Sequence, residues 1–110
     1  MATLIKLYEG QPAAANTTLY TAPANTRVRV LAATGTNDTT TACYISFHIV
    51  PSGGAVGDAY LAVNQKVIDS RDSYTFPELV GHVLEPGDFI SAIAETASQI
   101  SMHISGVSIT

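Results

Sequence analysis

The chain predicts an all-β fold, an antiparallel β-sandwich of jelly-roll type with eight or nine short strands. Three observations carry this expectation. Apolar and polar residues alternate with period two through residues 27–36 and 41–50, the pattern of strands with one covered face. Gly, Pro, Asn and Asp punctuate the chain at short intervals, as they do in a sandwich or barrel of many short strands. No segment reads as a credible long helix. Strand order stays open: eight strands favour a jelly roll and seven an immunoglobulin-like sandwich.

Taken in order, residues 3–8 alternate weakly and suit an edge strand. Residues 9–16, with Gly10, Pro12 and three alanines, read as a loop. Residues 17–21 make a short strand, closed by the turn Ala22-Pro23-Ala24-Asn25. In 27–36, Val28, Val30 and Ala32 face one way, and Arg27, Arg29 and Leu31 the other. Asn37-Asp38-Thr39 is a turn in which Asn and Asp bond their own backbone. Residues 41–50 are the strongest strand. Cys43, Ile45, Phe47 and Ile49 take one face; Tyr44, Ser46, His48 and Val50 take the other. Tyr44 and Val50 leave that second face partly apolar, which suits contact with another subunit.

Residues 51–58, with Gly53, Gly54 and Gly57, form a flexible connection. The alternation of Leu61, Val63 and Val67 and the β-branched content make 59–68 a strand rather than a helix. Asp69-Ser70-Arg71-Asp72 is a polar turn. Residues 74–76 start a strand whose path 79–84 continues. Glu85-Pro86-Gly87-Asp88 is a tight turn, where Pro sets φ and Gly supplies a positive φ. The strand 89–95 carries small residues, Ser91, Ala92 and Ala94, that suit close sheet packing. In the last strand, 99–109, Ile100, Met102 and Ile104 share a face, and then Val107 and Ile109 fall out of phase. A β-bulge near Ser105-Gly106 would return them to the core face.

At 110 residues the chain suits one core. No basic-flanked apolar stretch opens it, so no signal peptide is expected. No apolar run approaches the roughly 18 residues of a membrane span. The single Cys43 excludes an internal disulfide, and its apolar neighbours suit a buried thiol in a protein made in a reducing compartment. Charged residues are only 13% of the chain, against about 25% in an ordinary domain. Charge depletion marks buried interface cores, so a homo-oligomer or a subunit of a larger assembly is expected. Five basic residues and a net charge of -4 leave no basic stripe for nucleic acid.

Motifs for chemistry are missing. His48, His82 and His103 lie far apart with no second ligand at metal spacing. Cys43 sits on an apolar strand face rather than beside a base. No G-x-S-x-G elbow occurs. The nine acids are spread singly through turns and strand ends, unlike a glycosidase pair. Asp69 and Asp72 read as a solvated turn, too sparse for a dedicated calcium cage. The glycines of 51–58 lack the Lys-Ser/Thr of a phosphate loop. Hence no enzyme, no cofactor and no metal is expected. The five tyrosines, Tyr8, Tyr20, Tyr44, Tyr60 and Tyr74, are the side chains best suited to half-wet surfaces, although cross-strand pairing explains each one singly.

The segments Leu19-Tyr20-Thr21-Ala22-Pro23-Ala24-Asn25-Thr26-Arg27, Ile49-Val50-Pro51-Ser52-Gly53-Gly54 and Pro77 through Ala92, with the closing Ile104-Ser105-Gly106-Val107-Ser108-Ile109, resemble small virion structural proteins of tailed bacteriophages. The likeness runs from Leu19 onward and lies in turns and strand edges. It implies a virion protein made in the host bacterial cytoplasm, with the major capsid protein or other virion subunits as partners. A capsid decoration or cement protein, trimeric and tying subunit junctions together, is the leading expectation. A tail, head-fibre or baseplate module is the alternative. A carbohydrate-binding version would use Tyr60 with Asn64, or Tyr74 with Asp72.

Residues 1–16 then form an N-terminal strand and candidate clamping arm, and residues 17–110 the sandwich. Such an arm would add a strand to a neighbour's open edge; the other reading pairs it within its own sheet. The interface candidates are Leu4, Ile5, Leu7 and Tyr8 on that segment, and Tyr20, Tyr44, Tyr60 and Tyr74 beyond it.

Overall fold

The computed structural model describes residues 2–110. Nine strands cover most of them: β1 (Ala2–Gly10), β2 (Thr17–Thr21), β3 (Arg27–Asn37), β4 (Cys43–Val50), β5 (Leu61–Ile68), β6 (Asp72–Thr75), β7 (Val83–Leu84), β8 (Phe89–Ala94) and β9 (Ile100–Ile109). One 3-10 turn, Asp58–Tyr60, precedes β5. The first sheet runs β1-β9-β3-β6, with β7 also on β3; the second runs β2-β8-β4-β5. Every pairing is antiparallel.

The pairs are nested. β1 takes β9, β2 takes β8, β3 takes β6 and β4 takes β5. A chain folded as one long hairpin and then rolled over itself produces this order, which is the jelly roll. The order therefore decides between the two sandwich types that the strand count left open.

The turn at residues 85–88 forms as expected. Asp88 N donates to the Glu85 carbonyl at 2.9 Å, and Gly87 sits at φ 89. Its two strands, however, do not pair with each other. β7 belongs to the first sheet and β8 to the second, so the turn carries the chain across the sandwich. The Asp88 carboxylate braces the crossing, accepting from Glu85 N at 3.0 Å and Ser52 N at 2.9 Å.

Four local expectations change. β1 continues through Gly10, where a loop was expected. Residues 76–82 leave the sheet as successive turns, with Leu79 N on the Phe76 carbonyl and His82 N on the Leu79 carbonyl; this shortens the expected strand to β6 and β7. The strand expected from residue 59 begins at Leu61, after the 3-10 turn. The bulge expected on β9 sits on its two neighbours instead. Opposite Ser105 and its flanking residues, β3 inserts Leu31 and β1 inserts Leu7. β9 itself keeps strict alternation, so Gly106 fills the core slot while Val107 and Ile109 stay on the outer face. The Leu31 insertion also reverses the phase of β3. Val28 and Val30 are buried, then Ala32 is exposed and Ala33 is buried.

Between the layers, Ile45, Phe47, Ile90 and Ala92 of the second sheet meet Val28, Val30, Ile100, Met102 and Ile104 of the first. Phe47 and Phe76 join them edge to face at 5.2 Å, a contact worth about 0.5–1.5 kcal/mol beyond burial. Cys43 lies in this core as a free thiol. Asn37, fully buried at the end of β3, is its main polar member. Its Nδ2 donates to the carbonyls of Thr41 and Ile68, both at 2.9 Å, and its Oδ1 accepts from Thr39 N at 3.1 Å. The expected Asx turn is thus also a pin between the sheets.

Candidate functional site

The sandwich presents two outer faces of unlike chemistry. On the first sheet, register places Lys6 beside Ser105, Arg27 beside Ile109 and Arg29 between Val107 and Val83. Arg27 Nε pairs with Glu85 at 2.8 Å. Lys6 Nζ pairs with Glu9 at 2.9 Å, and His103 Nδ1 lies 3.8 Å from the same carboxylate. The Lys6 hydrogen bond, then the charges of Lys6 and His103, hold the Glu9 carboxyl below its ordinary pKa. These groups are exposed and solvated, so they add little to stability.

The two bulges flanking β9 leave an open hollow of about 480 Å³ on this face, lined by Leu4, Lys6, Leu31, Ala32, His103 and Ser105 among others. Its chemistry is that of a shallow apolar dent with the Lys6 ammonium and the His103 imidazole on its rim. Among the described residues, no group of three or more His, Cys, Asp or Glu is placed to hold a metal ion.

The second sheet differs. Its outward row Thr18, Ser91, His48 and Leu61 runs across all four strands. Beside it lie Ile93 with Ser46 and Tyr44 with Val67. These positions carry no Lys, Arg, Asp or Glu, but Glu95, just past β8, adjoins Tyr44 and its Oε1 accepts from Tyr44 N at 3.2 Å. Val67 is 53% exposed, whereas Ser46, His48 and Ser91 are buried. Ser46 Oγ accepts from Gln65 N at 2.7 Å. His48 Nδ1 is a buried nitrogen with no partner in the chain.

The eight interface candidates do not gather on one surface. Leu4 is 78% exposed on the outer side of β1, and Leu7 is a core residue at 6%. Ile5, Tyr8 and Tyr20 are half-buried against the core along the side where β1 and β2 meet. Tyr44 stands on the neutral face. Tyr60 is exposed in the 3-10 turn. Tyr74 lies on the opposite side of the sandwich, between β5 and β6. Its ring meets Phe76 edge to face at 4.9 Å and carries the Lys66 ammonium at 4.3 Å. Its hydroxyl bonds Glu78 at 3.1 Å, and burial followed by that carboxylate raises its pKa. As a sugar platform, Tyr74 therefore has one ring face already taken.

Sequence reading placed Tyr44, Ser46, His48 and Val50 on one strand face, with Tyr44 and Val50 as its apolar contact; the structure buries Val50 completely, so it offers no surface to a subunit. Sequence reading also missed that Ser91, Ile93, Leu61 and Val67 join Tyr44, Ser46 and His48 into a sheet-wide surface. The alternation held that information strand by strand, but the neighbours come from β5 and β8, whose pairing is non-local.

No family model matches the chain, and no curated protein matches it. Its architecture defines the class, a single jelly-roll sandwich. Among solved structures, a chain in the structure of infectious bursal disease virus, Gx strain, superposes with a TM-score of 0.57 at 13% sequence identity. The match covers 98% of this chain and 32% of the viral one, so this chain spans about a third of that neighbour's length. At this identity the likeness is one of fold.

Proposed function

We propose that this chain is a non-enzymatic structural subunit of a virion, a decoration or cement protein of tailed-phage type that ties neighbouring capsid subunits together. The observation that carries the reading is the outer face of β2-β8-β4-β5, whose paired outward positions carry no formal charge, with Glu95 beside Tyr44 at its end, on a molecule of net charge -4. Two negatively charged proteins approach most closely where neither presents carboxylates. Tyr44, Ile93 and Val67 supply the apolar contact there. The jelly roll supports the reading, since viral capsid domains often use it, and so does the shared fold with a chain from a virus structure. The resemblance of residues 19–109 to small phage virion proteins points the same way.

The mechanism is mechanical. A rigid sandwich binds the major capsid protein through its neutral face, and several weak contacts per homo-oligomer add through effective concentration. Quantitative mass spectrometry of purified particles tests the role: hundreds of copies per particle are expected for a shell component, on the order set by shell symmetry. A few dozen copies would move the protein to the tail, and none would remove the virion reading. Val67→Glu, on an exposed side chain, is expected to abolish shell binding while leaving the fold intact.

A further inference from the structure

We propose that the β1 edge pairs with β1 of a second copy, joining two first sheets into one continuous sheet across a two-fold axis. Five of the strands end a sheet, β7 with only two residues. β6 is a four-residue edge, and β2 has five residues and a register shift at Leu19. β5 is broken by two register shifts and by Gln65 in the left-handed region at φ 48. Short and bulged edges of this kind resist strand addition. β1 is the exception. It spans nine residues, and from Ala2 to Lys6 it pairs with β9 without interruption; the shift comes only at Leu7. One side of that regular stretch pairs with β9, and among the described residues no strand pairs with the other.

The stretch is self-complementary. Its midpoint is Leu4, the most exposed large apolar side chain among the described residues at 78%. An antiparallel two-fold pair centred there sets Leu4 against Leu4, Thr3 against Ile5 and Ala2 against Lys6. Opposed residues share a sheet face in this register, as the pleat requires. It keeps the two Lys6 ammonium groups apart, each remaining on its own Glu9 at 2.9 Å. A pair centred on Lys6 would oppose them and run into the Leu7 bulge. An isologous contact of this sort closes at two copies. The pairing deepens the assembly reading above and rests on it only for a supply of many copies; self-association in dilute solution tests the pairing without any particle.

Sedimentation equilibrium of the purified chain is expected to give twice the chain mass. Leu4→Lys, at a side chain that the fold does not need, is expected to weaken the dimer roughly 100-fold or more, because each substitution counts twice. Its thermal unfolding should match that of the parent. Leu4→Cys should cross-link rapidly between copies under mild oxidation, since directly opposed strand residues fall within disulfide reach; Leu31→Cys, two strands away, should not. A monomer overturns the proposal, including a monomer that still binds shells. A dimer indifferent to Leu4→Lys, or one that cross-links only through Leu31→Cys, overturns it equally.

Discussion

Asn37→Ala offers a direct measure of how the two layers are held in register. Asn37 is wholly buried, and its amide makes four hydrogen bonds: two donated to the Thr41 and Ile68 carbonyls, and two accepted from the backbone N–H and hydroxyl of Thr39. A typical intramolecular hydrogen bond contributes about 1 kcal/mol net, and a buried group left without a partner costs about 1–3 kcal/mol. Thr39 Oγ1 can give its one proton wholly to the Thr41 carbonyl and still accept from Gln99, so the buried Ile68 carbonyl loses most. The sum is about 3–4 kcal/mol, a large share of a total stability of about 5–15 kcal/mol. With a urea slope of about 1–1.5 kcal/mol/M for a domain of this size, the unfolding midpoint should fall by roughly 2–4 M at unchanged slope. Asn37→Asp keeps the shape but aims an oxygen at two carbonyl oxygens, and should be at least as damaging at neutral pH. Asp38→Ala, on the exposed neighbour, serves as control and should stay within about 0.5 kcal/mol. A loss below about 1 kcal/mol for Asn37→Ala would refute the pin.

Two further predictions concern the bulged edge. At Gly106 an added Cβ would strike the Arg29 carbonyl oxygen and approach Leu7 Cδ1 at 3.2 Å; because one obstacle is backbone, Gly106→Val should cost about 2–3 kcal/mol in chemical unfolding, and a neutral result would place β3 elsewhere. At Glu9 the folded pKa lies below the unfolded one, chiefly through the Lys6 hydrogen bond. The stabilising contribution of that pair is therefore present above the unfolded carboxyl value and fades as pH falls through the folded value. Carboxyl NMR titration should show the depression shrinking in Lys6→Met, with only the smaller His103 influence left.

The Pro-Gly turn, the Asx turn at Asn37, the buried Cys43 and the core face of β4 were all legible from the residues, because each depends on neighbours a few positions away. Turn chemistry is set by φ preferences and by side-chain reach. Period-two alternation survives any choice of partner strand. The out-of-phase Val107 and Ile109 also signalled a bulge in the right place. The signal was assigned to the wrong strand, since one sequence cannot say whether the odd residue lies in a strand or in the strands beside it.

The candidate site was harder to read. Leu7 looked like Leu4 on a weakly alternating strand, yet one is core and the other surface, because the insertion at Leu7 changes the pitch of β1 against β9. Tyr74 looked like a free aromatic until folding brought Lys66 and Phe76 onto it. The neutral face was half visible in β4 and completed only by β8 and β5.

The order of residues alone determined an all-β, charge-poor chain with its turns in place. Tertiary structure alone decided the nested strand order, the exit of β8 into the opposite layer from β7, and the separation of charged and neutral outer faces. The physical reason is range. Backbone dihedrals and alternation are local energies, whereas strand partners are chosen by burial summed across residues as far apart as Ala2 and Ile109.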